Sequence, residues 1–229
     1  LAVIVGGVSS EVAGVESEAA KPVHGVLLPI PHGGLGHFRT FFRLLATNAM
    51  AANARVFEFR NPTNVPVVLT QLRLTAAQGA AGTAQENSLD VHKATAFTVV
   101  DTSNATSPDI IARRTSTMTQ AGAIGVAGVS GAKSQVQIRG AQAGIAAGMI
   151  NGTMTIETDP FATLPYNVAA AANTTTLWGP YEVTDDLNGN HPHVFDQNEG
   201  FVIRNRVLNV TSYGITWNIE CSWAEVPVF

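Results

Sequence analysis

A single cysteine, Cys221, excludes both an intrachain disulfide and a four-thiolate zinc site. Charge is scarce as well: 13% of the 229 residues are Asp, Glu, Lys or Arg, against about 25% in ordinary soluble domains. The 13 Lys and Arg are scattered and the net charge is −4, which leaves no concentrated basic footprint for phosphates, so no nucleic-acid partner is expected. The apolar opening Leu1 to Val5 has no basic residue before it and falls far short of the roughly 20 residues of a membrane span. It reads as neither signal peptide nor anchor, and no membrane partner is expected. Convincing helical periodicity is missing, and so is any repeat of solenoid or propeller length.

What the chain does have is apolar content, 45%, enough for a sizeable core in a 24.0 kDa protein. Thr, Asn, Ser, Gln, Ala and Gly must then cover the surface, a composition that suits a protein itself surrounded by protein. The first fifty residues mix Pro, Gly and His (Pro22, Pro29, Pro31, His32, Gly33, Gly34, Gly36) with a short apolar stretch, Phe38 to Leu45. This predicts an extended N-terminal arm over 1–53.

From Arg55 the pattern alternates. Phe57 and Phe59 fall on one face, Val56, Glu58 and Arg60 on the other, and Asn61-Pro62-Thr63-Asn64 makes a turn. Further strands are predicted at Val65 to Thr75, Leu89 to Val100, Ile110 to Gln120, Ser134 to Arg139, Gly152 to Thr158, Leu177 to Val183, Gly200 to Leu208 and Tyr213 to Val226. The last is the clearest: Ile215, Trp217, Ile219, Cys221 and Trp223 form an apolar face, with Thr216, Asn218, Glu220 and Ser222 on a wet one. Nine or so short strands with turn clusters between them predict an all-β fold over 54–229, an antiparallel β-sandwich of jelly-roll type.

Candidate chemistry is thin. His191, His193, Asp185, Asp186 and Asp196 concentrate metal-ligand types, but they fall in a turn-rich segment (Asn188-Gly189-Asn190, Pro192) where polar groups satisfy the local backbone. Asp186, Asn188 and Asn190 echo a calcium loop, yet His191 stands where Gly is required and Gln197 where a bidentate Glu belongs. Gly128, Gly131, Lys133 and Ser134 imitate a phosphate loop that Ala132 interrupts, and Gly33-Gly34-Leu35-Gly36 lacks the dinucleotide spacing. Cys221 sits on the apolar face of a strand, where a thiol is packing. No Gly-x-Ser-x-Gly elbow occurs, and the adjacent Asp185 and Asp186 point apart in a strand. Sequons at Asn104, Asn151, Asn173 and Asn209 are the chance matches of a Thr-rich chain. Trp178, Tyr181 and Tyr166 are candidates either for stacking on sugars or for filling the core. Neither a catalytic residue, a metal ligand nor a cofactor site is predicted, and the chain reads as non-enzymatic.

Several segments together resemble a group of uncharacterised tailed-bacteriophage structural proteins. They are Val56-Phe57-Glu58-Phe59-Arg60-Asn61-Pro62, Lys93-Ala94-Thr95-Ala96-Phe97-Thr98, Arg113-Arg114-Thr115-Ser116, and the stretch from His191 to Arg204 with the terminal Trp217, Trp223, Ala224, Glu225 and Val226. The resemblance spans most of 55–229 and carries no catalytic or ligand-binding residue. It implies a virion protein, and a jelly-roll of this size looks most like a capsid decoration or cement protein. Such a protein is often trimeric, with an arm clamping the major capsid protein at the capsid surface. The alternative it leaves open is a tail or fibre component that binds host glycans.

Overall fold

The computed structural model describes residues 2–6, 11–15, 36–46, 50–80, 82–112, 134–168, 170, 176–183, 193–209 and 214–225. The chain divides into two units, Leu1–Ile30 and Pro31–Phe229. In the first, β1 (Ala2–Gly6) and β2 (Glu11–Val15) form an antiparallel hairpin with Ala2 opposite Val15 and Gly6 opposite Glu11. The expected arm therefore begins with paired strands.

The second unit is all β. Its strands are β3 (Gly36–Ala46), β4 (Arg55–Asn61), β5 (Val67–Gln78), β6 (Gln85–Val99), β7 (Ala105–Thr106), β8 (Ile110–Ala112) and β9 (Gln137–Ala141). After them come β10 (Thr153–Ile156), β11 (Ala162–Val168), β12 (Thr176–Val183), β13 (Val194–Phe195), β14 (Glu199–Asn205) and β15 (Ile215–Glu225). One sheet runs β10-β6-β14-β4-β9-β7 with β11 also on β6; the other runs β12-β5-β15-β3-β8 with β13 also on β5. Every pairing is antiparallel, and the two sheets face each other as the expected β-sandwich.

Alternation explains why these segments pair in these registers, since a slip of one residue would turn the apolar set of a strand outward. Phe57 and Phe59 of β4, Phe201 and Ile203 of β14, and Leu89 and Val91 of β6 face Leu72 and Leu74 of β5, Phe38, Phe42 and Leu44 of β3, and the apolar row of β15. Rings bridge the sheets: Phe59 meets Trp223 edge-on with centroids 5.2 Å apart, Phe42 lies 6.0 Å from Phe57, and Tyr166 lies 6.2 Å from Trp217. Gly140 is required where it stands, because a Cβ there would sit 2.2 Å from the Phe42 ring. The wet face predicted for β15 is only partly so, since Thr216 and Ser222 are buried along with the apolar row.

Two segments depart from the sequence expectation. Inside the span read as an arm, Phe38 to Leu45 belongs to β3, an 11-residue strand paired with β15 from Gly36 opposite Glu225 to Ala46 opposite Ile215. The doublets Phe41-Phe42 and Leu44-Leu45 make both faces apolar and so obscure the period of two. Strand β11 is also unanticipated, because Pro165 lies inside it; β11 pairs with β6 alone, and proline is tolerated on such an edge strand. The predicted strand from Ile110 is described as far as Ala112.

Candidate functional site

Of the metal-ligand types singled out by sequence, His193 and Asp196 are among the described residues. His191, Asp185 and Asp186 lie outside the described residues, as do Asn188, Asn190 and Asn173. His193 stacks on Phe161 with centroids 4.4 Å apart, and the Asp196 backbone N–H donates to Glu199 Oε2 at 3.2 Å. No group of three or more His, Cys, Asp or Glu positioned for a metal ion occurs among the described residues. Tyr166 is buried, with its OH donating to Asn205 Oδ1 at 3.0 Å, and Trp178 packs against the Tyr166 ring 6.0 Å away, so of the three aromatic candidates Tyr181 alone is exposed. Cys221 is buried, and burial pushes its thiol well above its ordinary range, as expected of packing. Ser134, from the imitation phosphate loop, donates to the Glu225 carboxylate, which burial raises. Asn209 is buried and accepts from Asn87, which removes that sequon from the surface.

The chemistry-bearing side chains of the seven-stranded sheet serve the fold. On its outer face Arg55 holds Glu58 at 3.1 Å and lies 3.9 Å from Asp101, while its Nε donates to the Met149 carbonyl at 2.9 Å. Burial raises Glu58, although the Asp101 N–H donates to its carboxylate at 2.9 Å. Burial also pushes Asp101 upward, but the backbone N–H groups of Asn151, Ser103 and Asn104 outweigh it and hold this carboxyl below its usual range. Arg60 donates to the Phe97 carbonyl, to Gln137 Oε1 at 2.7 Å and to Asn198 Oδ1 at 2.8 Å.

A second apolar cluster joins this network over the same face. Ala96 has φ 46°, and the bulge it makes in β6 places Phe97 on the side of Ala94 and Val202, where Val100, Met154 and Ile156 enclose it. Part of that face, over β6, β14 and β10, is thus covered by its own chain, while Val99 stays 51% exposed.

Beside this cover, β6 and β14 carry a polar cleft of about 290 Å3 lined by Asp90, His92, Asp159, Arg204 and Arg206 among others. His92 is buried; its Nδ1 lies 2.9 Å from the Glu157 carbonyl and its Nε2 3.0 Å from Arg204 Nη2. A carbonyl accepts only and a guanidinium donates only, so Nδ1 carries the proton and Nε2 the lone pair. Burial, then Arg204, depresses the imidazole below its ordinary value. The ring is a neutral strut between two strands and a loop, committed on both nitrogens.

The outer face of the six-stranded sheet is different. Along β3 the outward residues are Arg39, Phe41, Arg43 and Leu45, with Phe41 52% and Leu45 45% exposed. Register sets Ser222, Glu220, Asn218 and Thr216 of β15 directly opposite them, and Ile111 of β8 opposite Arg39. On the far side Arg73 of β5 lies 3.4 Å from Glu182 and 3.8 Å from Glu220, all three side chains partly exposed, and Leu177 of β12 is 63% exposed. An exposed ring and exposed aliphatic side chains thus alternate with both signs of charge across this face. The sequence signal for it lay in the Phe-Phe and Leu-Leu doublets, since two adjacent apolar residues in a strand put one inside and one out. Comparison with family models, with curated proteins and with solved structures gives no match.

Proposed function

We propose that this chain is a non-enzymatic structural subunit of a tailed-bacteriophage virion, a capsid decoration or cement protein that stabilises the head through contacts with copies of itself and with the major capsid protein. The observation that carries this reading is the open outer face of the six-stranded sheet, with Phe41, Leu45 and Ile111 set among Arg39, Arg43 and Glu220. An apolar, mixed-charge face has a reason to stay open when it is covered in an assembly. The low charge of the chain supports the same reading, as does its sandwich core, which a jelly-roll connectivity would share. The glycan-binding alternative draws less support, because Trp178 leans on the core and leaves Tyr181 as an isolated exposed ring.

The test is reconstitution: purified protein is added to heads that lack it, and bound copies and the temperature of genome release are measured. Saturable binding with a higher release temperature is the expected result. Absence of binding to heads, with binding to a host glycan that Tyr181→Ala abolishes, would replace this reading with the adhesin.

A further inference from the structure

We infer that the outer face of the six-stranded sheet is where two copies of this chain pack on each other about a two-fold axis. The inference rests on the assembly reading above and names the partner of that face. In the β3–β15 register Phe41 is opposite Glu220 and Arg43 is opposite Asn218, so the four side chains mark the corners of one rectangle on the outer surface. Its sides are roughly 4.8 Å across the strands and roughly 6.8 Å along them. Glu220 and Arg43 occupy one diagonal, Phe41 and Asn218 the other.

A two-fold axis laid along the Phe41–Asn218 diagonal carries each of the other two corners to within about 3 Å of the other's place, a gap that Arg and Glu side chains span. Glu220 of each copy then meets Arg43 of the other, and the two Phe41 rings come together on the axis. The strands of the two sheets cross at roughly 70° in this arrangement, close to the orthogonal class of sheet packing. An isologous contact needs a patch that complements itself, and opposite charges at mirrored corners with an exposed ring on the axis are such a patch. Glu220 is free to serve because its side chain is 46% exposed and lies 3.8 Å from Arg73, whose closer partner is Glu182 at 3.4 Å.

Area sets the strength. Four strands of about nine residues give a face on the order of 600 Å2, but two such faces crossed at roughly 70° overlap over roughly 400 Å2, so a pair buries about 800 Å2, the size of a weak, transient contact. A concentration-dependent pair follows, not a permanent one. It takes the place of the trimer that the resemblance implies.

The experiment is sedimentation equilibrium on the full chain over a wide concentration range, with circular dichroism to check folding. The expected result is a shift from 24.0 kDa towards twice that mass. Arg43→Glu should weaken association about tenfold or more, and adding Glu220→Arg to it should restore most of the loss by rebuilding both ion pairs with reversed sign. Arg43 is exposed and the Glu220 side chain is 46% so, and the dichroism spectrum should not change. A wild-type chain that stays monomeric overturns the contact, as does an oligomer indifferent to Arg43→Glu or a double variant as weak as the single one. Head binding by a chain that fails these tests removes only this contact and leaves the virion reading standing.

Discussion

His92 shows how a residue type associated with catalysis is consumed by architecture. With one ring nitrogen donating to the Glu157 carbonyl and the other accepting from Arg204, protonation would set a cation against the guanidinium and break that hydrogen bond. The folded chain therefore resists the proton, its pKa lying below 6.5, whereas the unfolded chain takes it up near 6.5. Above that pH both states are neutral and the contribution of His92 is fully present. As pH falls below it the unfolded state alone gains a proton, and stability is lost until the folded pKa is passed. The acids facing the ring, Asp90 and Asp159, moderate this effect without reversing it. In urea titrations between pH 7.5 and pH 5, wild type should lose stability relative to His92→Gln. The raised carboxyls of Glu58 and Glu225 act in the opposite sense but are common to both proteins and cancel in the difference. Parallel stability curves would contradict the neutral-strut assignment.

At the scale of elements, β3 decides what a truncation does. Removing 1–53 strips the ladder from one side of β15 and takes Phe38, Phe42 and Leu44 out of the core. Each such loss costs about 2–5 kcal/mol, and the three together exceed the usual margin of a domain. A chain beginning at Ala54 is expected to be insoluble or unfolded, and one beginning at Pro31 to melt cooperatively; a folded Ala54 chain would show that β3 is dispensable.

The same strand marks how far the sequence could be read. Alternation in β4, β5 and β15 was plain because one face of each is mainly apolar and the other mainly polar, and that sufficed for an antiparallel sandwich. It failed for β3, whose doublets serve two surfaces at once, and for β11, where Pro165 conflicts with local propensity. The candidate face was illegible for a related reason. Arg43 and Glu220 are 177 positions apart, and register alone makes them neighbours. Sequence spacing had drawn attention to His191 and its acidic neighbours instead, since clustering along a chain is visible without a fold.

Over the whole second unit, the two sheets differ in their exposed sides. The outer face of the seven-stranded sheet is covered in part by Phe97, Val100, Met154 and Ile156 and by the Arg55–Glu58–Asp101 network. The six-stranded sheet leaves Phe41, Leu45, Ile111 and Leu177 exposed. The proposed assembly role gives that second face its use: it is covered where subunits meet. The measurement that tests this most directly is an electron-microscopy reconstruction of the particle that carries the protein. Copies at regular positions on the head, with Phe41 and Arg43 buried between subunits, are the expected result. Copies confined to a tail tip or fibre, or regular copies whose Phe41 face stands open to solvent, would contradict it.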